Sequence, residues 1–379
     1  MRARKLANVL CAWIYFLIGG VYAAYQVLIP RVIASLGGSP QAISLLVASL
    51  FLGSVLTTLI SGEISERFGK RITLIISCAA LAAGCLLVCA AKNIWVAIAG
   101  IMISGFGIGG NEGSTLSILE DANPDNSDQV LCYVMALYGL GGFLVPLLTE
   151  RWFPQDSYRP VLMIFSALYT ASSVWALLAG KVDTVCAFRP EEQKGMAVSI
   201  LWTNKTLLLS VLALAVYCGL ESGLTYYAVD VFGRFGSSAA GSYAVSAYWL
   251  AVMVGSFTGG LVKNMLRYLS LLLLAGGTGV ALVLLIPSIP LKIGLMCLVG
   301  LLLGPAYGLI SYLGGHSAPE NSGMAYAAMA FGASLGGAAF QPVAAAVLGA
   351  FPVTATYLLV IAFCVLDAYL VHVVRKREG

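Results

Sequence analysis

Long apolar runs separated by short polar breaks fill almost the whole chain. Each run has about the 20 residues that an α-helix needs to cross the hydrocarbon core of a bilayer. Turn-forming residues such as Gly, Pro, Asn and Asp mark several of the breaks. The pattern therefore predicts an all-α integral membrane protein with twelve transmembrane helices. The predicted spans are 6–29, 41–62, 71–91, 94–119, 128–149, 159–180, 205–232, 238–262, 268–287, 291–313, 321–349 and 353–374.

The composition supports a membrane protein and excludes several other classes. Hydrophobic residues make up 60% of the 379 positions and charged residues 10%, whereas a soluble domain carries about 25% charged residues. The net charge of +4 does not indicate a nucleic-acid partner, because the basic residues are dispersed at predicted helix ends. The nine Cys contain no C-x-x-C pair, and there are only two His. We therefore expect no metal site, no cofactor and no enzymatic activity.

The distribution of basic residues predicts the orientation of the chain. With the N-terminus inside, 15 of the 21 Lys and Arg fall on the inner side of the twelve spans and 6 on the outer side. This excess predicts that both termini are cytoplasmic. The first apolar run is too long for the core of a signal peptide. We expect a multi-pass protein of the cytoplasmic membrane.

The chain divides into two halves that resemble each other. The longest polar segment predicts a cytoplasmic linker at 181–204, between an N-terminal six-helix bundle at 1–180 and a C-terminal six-helix bundle at 205–379. Gly53 and Gly105 in the first half have counterparts in Gly255 and Gly304, at an offset near 200. Such an offset predicts two parallel, pseudo-symmetric repeats.

A charged segment between the second and third runs carries the first resemblance to a known family. It predicts a tight loop of about eight residues, in which Gly62 ends one helix, Gly69 adopts a left-handed turn, and Glu66 caps the next helix or pairs with a nearby Arg. Its pattern, G-x-x-x-(D/E)-R-x-G-(K/R)-R-x-x-L, resembles the loop between helices 2 and 3 of the major facilitator superfamily. The resemblance implies a secondary active transporter with a central site. The loop residues concerned are Gly62, Glu66, Arg67, Gly69, Lys70 and Arg71.

Two carboxyl groups lie deep in the predicted spans, at Glu112 and Glu221. An ionisable side chain inside a span costs about 2.5–3.5 kcal/mol on insertion scales, so each position needs a reason. No Lys or Arg accompanies them within the spans, and a carboxyl group without a basic partner in a low dielectric tends to hold a proton. Both residues are therefore candidates for proton coupling. The alternative for each is a carboxyl hydrogen-bonded between helices for packing.

The segments around these two residues resemble sugar-transporting branches of the superfamily. F-G-x-G-x-x-E, ending at Glu112, resembles the fucose–proton symporters, which implies a role in substrate binding and proton coupling. Three features of that branch are absent: an acid in span 1, the A-A-N-P continuation after the glutamate, and an N-L-A-Q segment in span 5. Fucose itself is therefore not implied. Y-x-G-x-E, ending at Glu221, resembles span 7 of the sugar transporters.

Polar and aromatic residues in other spans could complete a substrate site. Aromatic rings stack on sugar faces, and amides bridge pairs of hydroxyl groups. The alternative is packing or anchoring at the membrane interface. The candidate substrate-binding residues are Tyr22, Gln26, Asn111, Tyr226, Tyr248, Trp249, Tyr312 and Gln341.

These patterns predict a transporter that moves a small polar solute, a sugar, by proton-coupled alternating access. Span 5 lacks the G-P-x-x-G-G ending of the superfamily's antiporters, which favours uptake. We expect the solute, protons and the lipid bilayer as partners, no nucleic acid, and a monomer. A proton-driven exporter of drugs or metabolites with the same fold is the first alternative. A non-transporting membrane sensor or scaffold is the second.

Overall fold

The computed structural model describes residues 2–39, 42–123, 127–153, 158–186, 204–261, 265–317 and 322–378. In these ranges the regular structure is helical, as predicted, and eleven helices are long and apolar enough to cross a membrane. In addition, Ala42–Thr58 of α2 forms a shorter apolar helical segment among the described residues. The α-helices are α1 (Arg2–Ser35), α2 (Ala42–Phe68), α3 (Lys70–Ala90), α4 (Ile94–Ala122), α5 (Ser127–Trp152), α6 (Arg159–Leu178), α7 (Lys205–Tyr226), α8 (Ala228–Arg234), α9 (Ser238–Leu261), α10 (Leu269–Leu285), α11 (Ile289–His316), α12 (Ser322–Ala350) and α13 (Ala355–Glu378).

The connection between α2 and α3 differs from the predicted loop. Helix α2 continues through the polar segment to Phe68, and α3 begins at Lys70, so Gly69 alone makes the reversal. The prediction of an eight-residue loop, with Gly62 at the end of a helix, is wrong. A helix can continue through polar residues after it leaves the bilayer, because its backbone hydrogen bonds are made within the helix and do not depend on the side chains. Gly69 has a φ of 93°, which a residue with a Cβ rarely adopts.

Basic residues after Gly69 fasten α3 to other parts of the chain. Lys70 Nζ lies 2.6 Å from Asp121 Oδ2, and Arg71 Nε donates to Asp183 Oδ2 over 2.8 Å. Arg71 Nη1 also donates to the backbone oxygen of Leu177, at 2.9 Å. Arg71 thus satisfies a carbonyl group left free at the end of α6. The predicted partner of this segment, Glu66, has its side chain outside the described part of the chain, as does Arg67.

Replacing Arg71 with Ala is expected to lower the free energy of unfolding by about 1–2 kcal/mol, because charge-assisted bonds to the end of α6 are lost. The ion pair adds little, since the Asp183 side chain is 51% exposed and solvent screens exposed pairs. The exposed Arg377, in the last turn of α13, provides the matched control as Arg377→Ala. Thermal unfolding in detergent would check this; equal midpoints for the two variants would contradict the role of Arg71.

The chain forms two compact units. Unit 1 comprises Met1–Ala42 and Ser49–Lys194, and unit 2 comprises Ile43–Ala48 and Gly195–Gly379. The first part of the predicted linker forms a short 3₁₀ helix, Gly180–Thr184, while residues 187–203 lie outside the described residues. Span 7, predicted as one helix over 205–232, is interrupted at Tyr227, which separates α7 from α8.

Glycines allow equivalent helix pairs to pack closely in the two units. In unit 1, a Cβ on Gly53 would overlap the backbone oxygen of Met102, which places α2 directly against α4. In unit 2, a Cβ on Gly255 would meet the backbone oxygen of Leu301 at 2.5 Å, so α9 and α11 approach in the same way. Small residues let the backbones of membrane helices approach, and van der Waals contact then holds them together. The glycine positions that repeat at an offset near 200 thus make equivalent contacts.

Candidate functional site

A carboxyl group with two phenol partners forms the candidate site in unit 2. Glu221, in α7, is half-buried, and its Oε1 accepts a hydrogen bond from the hydroxyl of Tyr248, in α9, at 3.0 Å. The hydroxyl of Tyr217 lies 3.3 Å from the same oxygen and 3.1 Å from the backbone oxygen of Leu303. A phenol has one O–H donor, so Tyr217 can donate to only one of these acceptors at a time.

Three helices position this cluster. Tyr217 and Glu221 are four residues apart in α7 and therefore lie one above the other on the same face. Helix α7 itself begins at a defined point, since the Asn204 side chain caps it by accepting from the backbone N–H of Leu207 at 3.0 Å. Tyr248 reaches Glu221 from α9. Gly300 of α11 packs on the backbone of Tyr248, which fixes the distance between α9 and α11.

Further aromatic rings pack against the two phenols that contact the carboxyl group. Trp249 packs edge-on against Tyr248, with ring centroids 5.6 Å apart, and Tyr307 packs edge-on against Tyr217 at 6.4 Å. Tyr217 and Tyr248 are fully buried. No Lys or Arg among the described residues pairs with Glu221. The carboxyl group is therefore held by neutral donors, which support its charged form without locking it in an ion pair.

A second polar cluster forms around Ser222, which follows Glu221 in α7. Gln341 of α12 is fully buried, and its Nε2 donates to the hydroxyl of Ser222 at 2.9 Å. Its Oε1 accepts from the hydroxyl of Tyr227 at 2.9 Å. Gln341 was predicted to bind substrate, and here its amide is occupied within the protein. The sequence analysis selected Tyr226 and missed its neighbour Tyr227. The helix break after α7 decides which of the two reaches Gln341, and the sequence pattern did not predict that break.

The other carboxyl candidate, Glu112, lies in α4 of unit 1 and is half-buried. No hydrogen bond to its carboxyl group is present within the described residues. Its neighbour Asn111 is fully buried, and the Oδ1 atom accepts from Cys78 Sγ of α3 at 3.2 Å. Asn111 therefore faces α3 in this structure.

The remaining candidates are divided between the units. In α1, the Tyr22 ring packs at 6.3 Å from Phe51 and 6.1 Å from Tyr138, and Gln26 is buried one turn away. In unit 2, Tyr226 is buried, whereas Tyr312 is 51% exposed on α11. The described residues contain no group of His, Cys, Asp and Glu that could hold a metal ion.

Comparisons with known proteins agree with this architecture. Residues 11–341 match the family model described as Major Facilitator Superfamily. The chain is 30% identical over 69 residues to Sugar carrier protein C of Ricinus communis, and 30% identical over 67 residues to Sugar transport protein 1 of Arabidopsis thaliana. Each match covers 18% of this chain and only 13% of the relative.

A solved structure is similar over nearly the full length. The crystal structure of a mutant of the nucleoside transporter NupG has a TM-score of 0.76 with this chain, and the match covers 97% of this chain and 99% of that one. The sequence identity is 13%. This likeness shows a common fold.

Proposed function

Because the chain belongs to the Major Facilitator Superfamily, it is a membrane transporter rather than an enzyme, and we propose that it carries a sugar together with protons. In this proposal the two units alternately expose a central site to the two sides of the membrane. Glu221 and Glu112 bind the coupled protons, and both termini lie in the cytoplasm. The excess of basic residues on the predicted inner side supports that orientation.

The observation that carries the proposal is the carboxyl–phenol cluster, in which the half-buried Glu221 faces two fully buried tyrosines. Glu221 accepts from Tyr248 at 3.0 Å and has Tyr217 at 3.3 Å, with no basic partner in the described residues. When Glu221 gains a proton, its charge disappears, and with it the main attraction for the phenol donors. Protonation would thus free the hydroxyls of Tyr217 and Tyr248, whose rings pack against other aromatic residues. A solute with hydroxyl groups could then bond to them, which links the proton to the solute.

Sugar is the preferred solute class for three reasons. The cluster combines aromatic rings with phenol hydroxyls and a carboxyl group, which suit the apolar faces and hydroxyl groups of a sugar. The segment ending at Glu112 resembles the fucose–proton symporters. The two partial relatives carry the names of a sugar carrier and a sugar transport protein. Nucleosides are the second class to test, since the solved structure of similar fold is a nucleoside transporter.

Purified protein in liposomes that contain a pH-sensitive dye would test the proposal. Neutral sugars, nucleosides and lipophilic cations are added outside, one at a time. We expect internal acidification with at least one sugar and none with the cations. Acidification with nucleosides only would show that the transported solute is a nucleoside and not a sugar. Outward proton movement on addition of a lipophilic cation would favour an exporter, and no proton movement with any solute would contradict proton coupling.

Replacing Tyr248 with Phe removes the donor that lies 3.0 Å from Glu221 and keeps the ring. We expect solute-driven acidification to fall about 10-fold, because the charged carboxylate loses a charge-assisted hydrogen bond that contributes about 1.5–3 kcal/mol. Tyr243→Phe is the matched control, since Tyr243 lies in the same helix and is 37% exposed. Initial rates in the liposome assay would check both. Equal rates for the two variants would count against a role for the Tyr248 hydroxyl.

A further inference from the structure

Three polar groups in unit 1 are buried without a protein partner. They are Asn111 Nδ2, Thr115 Oγ1 and Tyr169 Oη, and no described residue hydrogen-bonds to any of them. All three side chains are fully buried. A polar group in this setting is strongly destabilising unless something bonds to it. Most buried polar groups in proteins are in fact bonded, either to protein or to ordered water.

The three groups lie on two helices, α4 and α6, that both pack against α3. Asn111 and Thr115 lie one turn apart on the same face of α4. Asn111 is fixed against α3 by the hydrogen bond from Cys78, 3.2 Å long. Tyr169 lies in α6 between Ser166 and Ser173. Their hydroxyls donate to backbone oxygens of α3, at Ala82 over 3.0 Å and at Ile75 over 3.1 Å, so this stretch of α6 packs against the stretch of α3 that contains Cys78. Helix α3 thus packs against both α4 and α6, and these three helices carry a set of buried polar side chains that we call the polar pocket: Cys78, Asn111, Thr115 and Tyr169. Glu112 follows Asn111 directly in α4.

We propose that this polar pocket binds a short chain of ordered water molecules, which exchange protons with Glu112. A buried water makes about three hydrogen bonds to groups that lack other partners, and the amide N–H and the two hydroxyls provide such groups. The proton-carrying part of this inference rests on the proposed function of Glu112. The binding of water rests on the unpartnered groups alone.

The proton step is balanced along such a chain. When the carboxyl O–H of Glu112 breaks, its proton forms a new O–H bond on the adjacent water. That water passes another of its protons to the next oxygen, and the last oxygen releases one to bulk water. Glu112 is left as a carboxylate and every water is left neutral. In this assignment Asn111 bonds to water and not to the transported solute.

Cys78 is a natural reporter for the pocket, because its thiol exchanges hydrogen for deuterium only where water reaches it. Two variants would each keep a single cysteine, one at Cys78 and one at Cys11. Cys11 is fully buried in the same unit and has no hydrogen-bond partner among the described residues. After transfer to D₂O, the infrared S–H band of Cys78 should decay at least about 10-fold faster than that of Cys11. Equal decay rates would overturn the proposal.

Conservative variants provide the second test. Thr115→Val and Tyr169→Phe each remove one hydroxyl and little else, and Thr170→Val, on an exposed position of α6, is the control. If water bonds to these hydroxyls, each removal lowers the thermal midpoint and slows exchange at Cys78. If the hydroxyls are dry and unbonded, removing one relieves an unfavourable burial and raises the midpoint, which would contradict the proposal.

Transport assays distinguish a failure of this inference from a failure of the proposed function. In the two pocket variants, solute-driven acidification should fall at least about 5-fold, because proton transfer at a positioned group contributes about 100-fold or more. Exchange of labelled solute at equilibrium, which moves no net protons, should stay within about 2-fold. Equal losses in both assays would contradict the role in proton passage. If the unmodified protein moves no protons, the proposed function fails, while thiol exchange at Cys78 still decides whether the pocket holds water.

Discussion

Replacing Glu221 with Gln is expected to abolish solute-driven proton uptake, with a loss of at least about 100-fold. Gln keeps the shape and can still accept a bond from the Tyr248 hydroxyl, but it cannot bind and release a proton. Glu112→Gln is expected to cause a loss of the same order. Exchange of labelled solute at equilibrium should survive in both variants, because it requires alternating access without net proton transfer. The pH-sensitive dye and the labelled solute, used in parallel in liposomes, would check this.

A matched control distinguishes coupling from the mere loss of a carboxyl group within a membrane helix. Asp367 of α13 is fully buried, and neither carboxyl oxygen has a hydrogen-bond partner in the described residues. Asp367→Asn makes the same chemical change away from the Glu221 phenols, and we expect it to retain coupled uptake. Unchanged coupling in Glu112→Gln would remove that residue from the mechanism and leave Glu221 alone. An equal loss of coupled uptake in all three variants would show that the loss is not specific to Glu112 and Glu221.

Replacing Gly105 with Ala is expected to prevent stable folding of unit 1. The added Cβ would overlap the backbone oxygen of Leu50 in α2. A backbone atom cannot move aside as a flexible side chain can, so α2 and α4 would have to separate. We expect a loss of about 3 kcal/mol or more in the free energy of unfolding, at the upper end of the range for overpacked cores. Unfolding in detergent, followed by the signal of the buried aromatic residues, would measure it.

Gly308 of α11 is the control for this substitution, because a Cβ there meets no atom within 4 Å. Gly308→Ala should be neutral or stabilising by about 0.5–1 kcal/mol, since Ala favours a helix more than Gly does. A Gly105→Ala variant as stable as the unmodified chain would show that α2 and α4 do not pack as closely as the structure has them.

The fold could largely be predicted because the bilayer restricts each apolar run to a helix that crosses it. The repeat of Gly53 and Gly105 by Gly255 and Gly304 was also visible in the sequence, since close helix contacts need small residues. The turn at Gly69 was predicted in part. Its positive φ was expected, but the length of the loop was wrong because polarity marks the edge of the bilayer and not the end of a helix.

The site was less predictable because most of its contacts join residues distant in sequence. The proximity of Tyr217 to Glu221 follows from helical spacing alone. That Tyr248 and not another aromatic residue reaches Glu221 depends on how α9 lies against α7. Asn111 was expected to face the solute, yet it faces Cys78. Lys292 is one of the six basic residues assigned to the outer side, and its side chain is buried, with Nζ 3.4 Å from the centre of the Phe235 ring.

The most direct test of the central claim is whether a pH gradient alone concentrates the solute. Liposomes containing the protein, more alkaline inside than outside, are given a labelled sugar that causes acidification. Proton coupling predicts that the sugar rises inside to well above its external concentration, and that Glu112→Gln and Glu221→Gln only equilibrate it. If the unmodified protein also stops at equal concentrations, or if both variants concentrate the sugar as well as it does, these carboxyl groups do not couple protons to transport.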